Sequence, residues 1–106
     1  KTIRILGEVR GKQVLMVDDI VDSGNTLVKA AAAVRQKGAK RVYAYCTHAL
    51  FTEGIEKVAA AFDRVFISDT LKTPPHAKVE VISLVPLFAD AIHRTNEGLS
   101  LSKLFE

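Results

Sequence analysis

One stretch decides the fold of this chain: Val14-Leu15-Met16-Val17-Asp18-Asp19-Ile20-Val21-Asp22-Ser23-Gly24-Asn25-Thr26. Its first four residues are apolar and three of them are branched, which predicts a strand buried on both faces of a parallel sheet. That strand ends in two adjacent carboxylates, and a small polar turn follows at residues 22–26. Apolar residues then recur with helical spacing at Leu27, Ala30, Ala31 and Val34. The order is therefore strand, acidic pair, polar turn and helix.

The polar turn has the residues of an anion site. Backbone N–H groups at the start of a helix lack intrahelical partners, and the helix dipole adds about half a positive charge there. Gly24 lets successive N–H groups converge, and Ser23 and Thr26 supply hydroxyl donors. Asn25 tolerates left-handed geometry. We therefore predict that a phosphate group binds at residues 22–26.

The acidic pair before the turn predicts a second part of the same site. Neighbouring strand residues point to opposite faces, so Asp18 and Asp19 should not do the same work. One is suited to a polyol or a hydrated divalent cation, and the other to supporting the turn or sharing the ligand. A ligand with a phosphate at one end and hydroxyls at the other satisfies both parts. The plainer interpretation, a solvated strand end followed by an ordinary helix cap, is less favoured because the pieces occur together in this order.

Composition sets the class of protein. The chain has 106 residues, of which 48% are hydrophobic and 25% charged, and this predicts one globular domain over residues 1–106. Its net charge is +3, but the basic residues are scattered without aromatic interleaving, so we expect no nucleic-acid partner. No apolar run approaches the roughly 20 residues of a membrane span, so we expect a cytoplasmic protein. Cys46 is the single cysteine and is predicted to be a buried, inert thiol.

The other elements alternate along the chain. Strands are predicted at residues 41–47, 64–67 and 79–82, and helices at about 26–37, 53–61 with Thr52 as its cap, and 86–96. This alternation predicts an α/β fold with a mainly parallel sheet and helices on both faces. The chain begins with Lys1, and its first residues already alternate like a strand, so we expect a domain truncated at its N-terminus. The apolar tail at residues 99–105 is expected to pack on the sheet or on a neighbour.

Polar side chains also follow the later strands. Asp69 and Thr70 come after the strand at 64–67, where they either line the same crevice or, for Asp69, only cap the next loop. His48 is interpreted mainly as structural, as are His76 and His93, and no pair of histidines has metal-ligand spacing.

Residues 17–26 resemble the phosphoribosyl-diphosphate (PRPP) binding loop that the type I phosphoribosyltransferases share with the ribose-phosphate diphosphokinases, or PRPP synthetases. The resemblance extends over nearly the whole chain and favours the C-terminal half of a bacterial-type synthetase. It rests on residues 7–12, 37–44, 47–51, 68–70, 91–94 and 97–105. The chain departs from the family at Leu71-Lys72 and at Thr52-Glu53-Gly54.

The resemblance implies transfer of a diphosphoryl group from ATP to ribose 5-phosphate, with Mg²⁺, giving PRPP and AMP. It implies that Asp22, Ser23, Gly24, Asn25 and Thr26 hold the 5-phosphate. Asp18 and Asp19 would then meet the ribose hydroxyls, directly or through the metal. The family's basic catalytic loop lies upstream of Lys1, so no catalytic residue is assigned and the chain alone is expected to be inactive. The whole enzyme is expected to be a homo-oligomer, commonly a hexamer, completed by an N-terminal half.

Two alternatives remain open at this point. A type I phosphoribosyltransferase fragment would bind PRPP itself and would need a base-recognising segment. A non-catalytic regulatory homologue would keep the fold and lose site residues, whereas here the loop is intact.

Overall fold

A computed structural model of the chain describes residues 5–105, and for Phe105 it describes the backbone alone. The four strands are Gln13–Val21 (β1), Arg41–Ala49 (β2), Arg64–Ser68 (β3) and Val79–Ile82 (β4). The helices are Asn25–Gln36 (α1), Glu56–Ala61 (α2) and Val85–Asn96 (α3), followed by a short 3-10 helix at Ser102–Phe105. The strand expected at the start of the chain lies outside the described residues at positions 1–4. Positions 5–9 form no strand.

The strands form one parallel sheet in the order β1-β2-β3-β4. Val14 pairs with Val42, Ala44 with Val65, and Phe66 with Glu80 along this sheet. Each neighbouring pair in the sheet is parallel, so the chain must cross back between strands, and α1 and α2 make the first two crossovers. The predicted α/β fold with a parallel sheet is confirmed.

The core lies between one face of the sheet and the first two helices. Strand residues Val42, Ala44, Cys46, Val65 and Ile67 are almost fully buried there. The helices and their flanks contribute Leu27, Ala31, Val34, Val58 and Phe62. Burying one such aliphatic or aromatic side chain stabilises a fold by about 1.5–3 kcal/mol. Cys46 is fully buried in this layer, so its predicted burial is confirmed, and burial raises the pKa of its thiol to about 11.

The opposite face of the sheet corrects two expectations. Leu15 and Val17 of β1 are 57% and 70% exposed, so this strand is not buried on both faces. It is an edge strand of the described sheet, and hydrophobic character alone does not tell an edge strand from a central one. Over residues 5–105, α1 and α2 cover one face only, and α3 has no buried residue. Helices were expected on both faces of the sheet, but over these residues they cover one face.

Several element boundaries also differ from the predicted ones. β1 continues to Val21, so Asp18 and Asp19 lie inside the strand rather than after its end. β2 runs two residues further, to Ala49. α2 begins at Glu56 with Ile55 as its first flanking residue, so Thr52 is not its cap. α3 starts as predicted, with proline in its first turn.

The tail folds back on the end of α3. The backbone N–H of Leu99 donates to the carbonyl of Arg94 at 2.7 Å, and Arg94 Nη1 donates to the carbonyl of Ser100 at 3.2 Å. Leu99 and Leu101 remain about half exposed. In the part of the chain that is described, no helix is long and apolar enough to cross a membrane.

Asp63 ties the start of β2 to α1. Its Oδ2 accepts a hydrogen bond from the Val42 backbone N–H at 2.7 Å and another from Arg35 Nη2 at 3.3 Å. The bond from Val42 lowers the pKa of the Asp63 carboxyl, and the Arg35 charge adds to the effect. The ionised form is therefore the one that holds these elements together.

We expect Asp63 to make the free energy of unfolding depend on pH in the acid range. A carboxyl with a depressed folded-state pKa stabilises the fold above its unfolded pKa of about 3.9, and this is lost as the pH falls through the folded value. Asp63→Asn should reduce the pH dependence of the free energy of unfolding, measured by urea denaturation from about pH 5 to pH 2. Asp90→Asn, which loses only a contact at 3.4 Å to Arg94 Nε, is the matched control. If the unfolding free energy of Asp63→Asn depended on pH as steeply as that of the unmodified chain, Asp63 would not be the source of this dependence.

Candidate functional site

The carboxyl end of β1 and the start of α1 enclose an open cleft of about 290 Å³. Its lining consists of Asp18, Ile20, Val21, Asp22, Ser23, Gly24, Asn25, Thr26 and Leu27. Six of the seven residues predicted for the site therefore meet in one cavity. Asp19 is not among them, because neighbouring residues of a strand point to opposite faces of the sheet.

Gly24 gives the turn at residues 22–26, here called the anion-binding loop, its shape. It flanks α1 with φ 88° and ψ 3°, which is left-handed geometry, and its carbonyl accepts the N–H of Val28 at 2.9 Å. A Cβ at this position would overlap Cγ2 of Val58, a fully buried residue of α2. Glycine is required here by both backbone angle and space.

The loop and the first turn of α1 present free hydrogen-bond donors. The N–H of Asn25 donates to Ser23 Oγ at 3.3 Å. Within residues 5–105, nothing accepts a hydrogen bond from the backbone N–H groups of Gly24, Thr26 or Leu27. Together with the dipole of a 12-residue helix, these groups form a site that favours negative charge.

Two side chains of the loop face the turn that follows β2. Asp22 Oδ1 accepts a hydrogen bond from Thr52 Oγ1 at 2.8 Å. Asn25 receives a hydrogen bond at its Oδ1 from Lys57 Nζ and donates from Nδ2 to Glu53 Oε2 at 3.5 Å. These contacts support the loop without using the backbone N–H groups of Gly24, Thr26 and Leu27 or the hydroxyl protons of Ser23 and Thr26.

The acidic pair is exposed and internally hydrogen-bonded. Asp18 Oδ1 accepts the N–H of Asp19 at 2.9 Å, and Asp19 Oδ1 accepts the N–H of Ile20 at 2.7 Å. The bond from Ile20 lowers the pKa of Asp19, and the bonding with Asp18 acts in the same direction. Asp19 is therefore a carboxylate at neutral pH, able to accept hydrogen bonds from hydroxyls.

The chemistry of the acidic pair suits a hard cation such as Mg²⁺, which proteins hold through one or two carboxylates together with substrate phosphates. Across residues 5–105, no three acidic, histidine or cysteine side chains come together in a metal-binding group.

The polar residues after β3 do not line the cleft. Asp69 accepts hydrogen bonds from Ser83 Oγ and from the N–H of Leu84 at 2.9 Å, so it supports the entry to α3. Of the two interpretations left open for Asp69, these contacts favour the cap of the following loop. The Ser83 bond, followed by the Leu84 bond, lowers the pKa of Asp69. Thr70 Oγ1 lies 2.9 Å from His48 Nδ1, a contact between the ends of β2 and β3. His76 contacts Glu56 at 3.1 Å, and His93 lies exposed on α3.

The sequence did not predict the residues whose side chains hydrogen-bond to the loop, namely Thr52, Glu53 and Lys57. Thr52 had been interpreted as a helix cap. The Glu53 to Lys57 spacing of four was the one available signal, and the two side chains do pair, at 2.9 Å.

Comparison with known proteins gives the relatives of this chain. The family model described as the phosphoribosyl synthetase-associated domain matches residues 1–106. The chain is 40% identical over 111 residues to a ribose-phosphate pyrophosphokinase of Pasteurella multocida, and the match covers 99% of this chain and 35% of that protein. It is 41% identical over 110 residues to a ribose-phosphate pyrophosphokinase of Caldanaerobacter subterraneus subsp. tengcongensis, again covering 99% and 35%.

A solved structure has the same fold. The crystal structure of phosphoribosylpyrophosphate synthetase from Mycobacterium smegmatis superposes with a TM-score of 0.80 at 28% identity, covering 90% of this chain and 34% of that one. The chain thus spans about a third of the length of the proteins it matches.

We expect Gly24→Ala to destabilise the chain more than Gly54→Ala does. Both glycines have left-handed φ angles, of 88° and 89°, but a Cβ at Gly54 meets nothing within 4 Å. Forcing a residue with a Cβ into left-handed geometry costs roughly 1–2 kcal/mol, and the overlap with Val58 should add about 1–3 kcal/mol at Gly24 alone. Urea unfolding measures both free energies. Equal losses at the two positions would show that Val58 does not confine the loop.

Proposed function

This chain belongs to the phosphoribosyl synthetase-associated domain family, and from that membership we propose that it is the ribose 5-phosphate-binding part of a ribose-phosphate diphosphokinase. We place it in the C-terminal half of that enzyme, within the phosphoribosyltransferase-like superfamily. The observation that carries the proposal is the cleft in which unpaired N–H groups at the start of α1 lie beside Asp18.

The cleft has a donor end and an acceptor end. The N–H groups of Gly24, Thr26 and Leu27 would bind the 5-phosphate, with the hydroxyls of Ser23 and Thr26 as further donors. At the acceptor end, Asp18 would accept hydrogen bonds from the ribose hydroxyls, and Asp19, which lies outside the cleft lining, would contribute by holding Mg²⁺. A sugar phosphate matches this polarity, whereas an anion without hydroxyls would use only the donor end.

The structure refines the roles proposed for the loop. Asp22 and Asn25 line the cleft, but their side chains are hydrogen-bonded to Thr52, Glu53 and Lys57. We therefore assign them to holding the loop in shape. A carboxylate at Asp22 that contacted the phosphate directly would repel it.

In the whole enzyme, the proposed reaction moves a diphosphoryl group from ATP to the anomeric hydroxyl of ribose 5-phosphate, giving PRPP and AMP. Mg²⁺ held by Asp18 or Asp19 would neutralise phosphate charge when bound. This chain contributes positioning: it fixes the acceptor sugar so that one hydroxyl is presented to the diphosphate donor. A basic catalytic loop and most of the ATP site would come from the other two thirds of a longer protein, assembled as a homo-oligomer.

The relatives favour this proposal over a phosphoribosyltransferase fragment, because they carry the name ribose-phosphate pyrophosphokinase. A non-catalytic regulatory homologue that has lost its ligand would not bind ribose 5-phosphate, and the binding experiment below measures this. A free, buried Cys46 is compatible with the reducing cytoplasm, where we place the protein.

We expect the chain to bind ribose 5-phosphate, and Asp18→Ala and Thr26→Ala each to weaken that binding about tenfold through the loss of one strong hydrogen-bonding group. Isothermal titration calorimetry measures the affinity, and thermal unfolding checks that the variants stay folded. Thr95→Ala on α3 is the control, because this residue is exposed and away from the cleft. A folded chain that binds neither ribose 5-phosphate nor inorganic phosphate would overturn the proposed function.

We also expect no PRPP synthesis by these 106 residues alone. Release of AMP from ATP in the presence of ribose 5-phosphate and Mg²⁺ is the measurement. If a purified sample releases AMP and Asp18→Ala abolishes this release, the activity belongs to the chain itself. The proposal that the catalytic loop lies elsewhere in the enzyme is then wrong.

A further inference from the structure

The turn that follows β2, residues 50–54 and here called the β2–α2 turn, is hydrogen-bonded to the end of β1 and to the anion-binding loop. The N–H groups of Leu50 and Phe51 both donate to the carbonyl of Val21, at 3.0 and 3.3 Å. The next residue, Thr52, donates its N–H to the carbonyl of Asp22 at 2.9 Å and its hydroxyl to Asp22 Oδ1 at 2.8 Å. Four hydrogen bonds thus join two segments about 30 residues apart in sequence.

The turn itself is strained. Phe51 has φ 46°, the one positive value at a non-glycine position among residues 5–105. Its ring is buried in the core, and its carbonyl accepts the N–H of Gly54 at 2.8 Å, which closes the turn. A side chain that is 7% exposed keeps this unfavourable backbone in place, and it is this backbone that directs the Thr52 N–H and hydroxyl at Asp22. Backbone strain of this kind is retained where the surrounding structure fixes it, and it concentrates at functional sites.

We propose that Thr52 is a positioning residue for the anion-binding loop: through Asp22 it fixes the loop in the shape that lets the N–H groups of Gly24, Thr26 and Leu27 converge on a phosphate. The inference rests on the proposed function of the cleft and adds a residue that lies outside the cleft lining.

Electrostatics gives the hydroxyl of Thr52 a second effect. Asp22 is the one carboxylate within the anion-binding loop, and a free carboxylate beside a bound phosphate would weaken binding by like-charge repulsion. The hydrogen bond from Thr52 Oγ1 holds the Asp22 side chain at the side of the turn. Removing that hydroxyl would release the charge to move toward the ligand.

Asn25 is held in a parallel way. Lys57 Nζ donates both to Asn25 Oδ1 and, at 2.9 Å, to Glu53 Oε1, while Glu53 Oε2 accepts from the Asn25 amide. Because Glu53 balances the Lys57 charge, this contact orients Asn25 rather than attracting the anion. Thr52 remains the residue whose loss changes both the shape of the loop and the position of a charge.

The test is the affinity for inorganic phosphate, and separately for ribose 5-phosphate, of Thr52→Val and Thr52→Ser. Valine removes the hydroxyl and keeps the branched shape, whereas serine keeps the hydroxyl. We expect about fivefold weaker binding of both ligands by Thr52→Val, the net effect of losing one ordinary hydrogen bond, and near-complete rescue in Thr52→Ser. Thr95→Val controls for the same substitution away from the site.

A double-mutant cycle distinguishes positioning from a general structural effect. If Thr52 acts through Asp22, the effect of Thr52→Val should shrink to less than about twofold in an Asp22→Ala background. A merely structural role would lower the unfolding temperature and leave the affinity of the folded chain unchanged. Full wild-type affinity in folded Thr52→Val, or the same loss in both backgrounds, would overturn the inference.

The failure of the inference is separable from failure of the proposed function. An unmodified chain that binds neither ligand overturns both, whereas binding that is indifferent to Thr52 overturns the inference alone. If Thr52→Val does not fold, amide hydrogen exchange on the unmodified chain still tests the positioning role of Thr52. Phosphate should slow exchange of the Thr52 N–H more than that of the Gly11 N–H, which donates to the Gly38 carbonyl at 2.8 Å at the other end of the sheet. Equal slowing would contradict the inference.

Discussion

The contact between Gly24 and Val58 is the constraint on which the site depends. The left-handed backbone at Gly24 turns the chain from β1 into α1, and the missing Cβ lets α2 approach closely enough for Val58 to be fully buried. Core packing and loop shape are thereby coupled. The loop has few conformations available because its floor is the hydrophobic core itself, and this rigidity is what a preorganised anion site requires.

The parallel sheet brings the parts of the site together. β1 and β2 run side by side, so the segments that leave their carboxyl ends, the anion-binding loop and the β2–α2 turn, emerge as neighbours. Open α/β sheets bind ligands at this edge for the same reason. The N–H groups come from the loop, the carboxylates from the end of β1, and the support from the turn. No one of these segments forms the proposed site alone.

Local pattern predicted the element order, the parallel sheet and the residues that share the cleft, because strand and helix periodicity and the start of a helix are properties of neighbouring residues. The exposed face of β1 could not be predicted this way, since burial depends on what lies beside a strand. The hydrogen bond between Thr52 and Asp22 could not be predicted, because the two residues are 30 positions apart. A threonine before a helical pattern instead indicates a helix cap. Asp69 was ambiguous for the same reason, with its partners at Ser83 and Leu84.

The burial of Cys46 gives the chain an internal reporter of opening. Its sulfur lies in β2, the strand paired with β1, directly across from Asp18, and under the layer formed by α1 and α2. A thiol reagent in solution reaches it only when that layer separates from the sheet. The rate of labelling would therefore follow local opening beside the cleft without any engineered probe, and a ligand that closes the cleft would slow it.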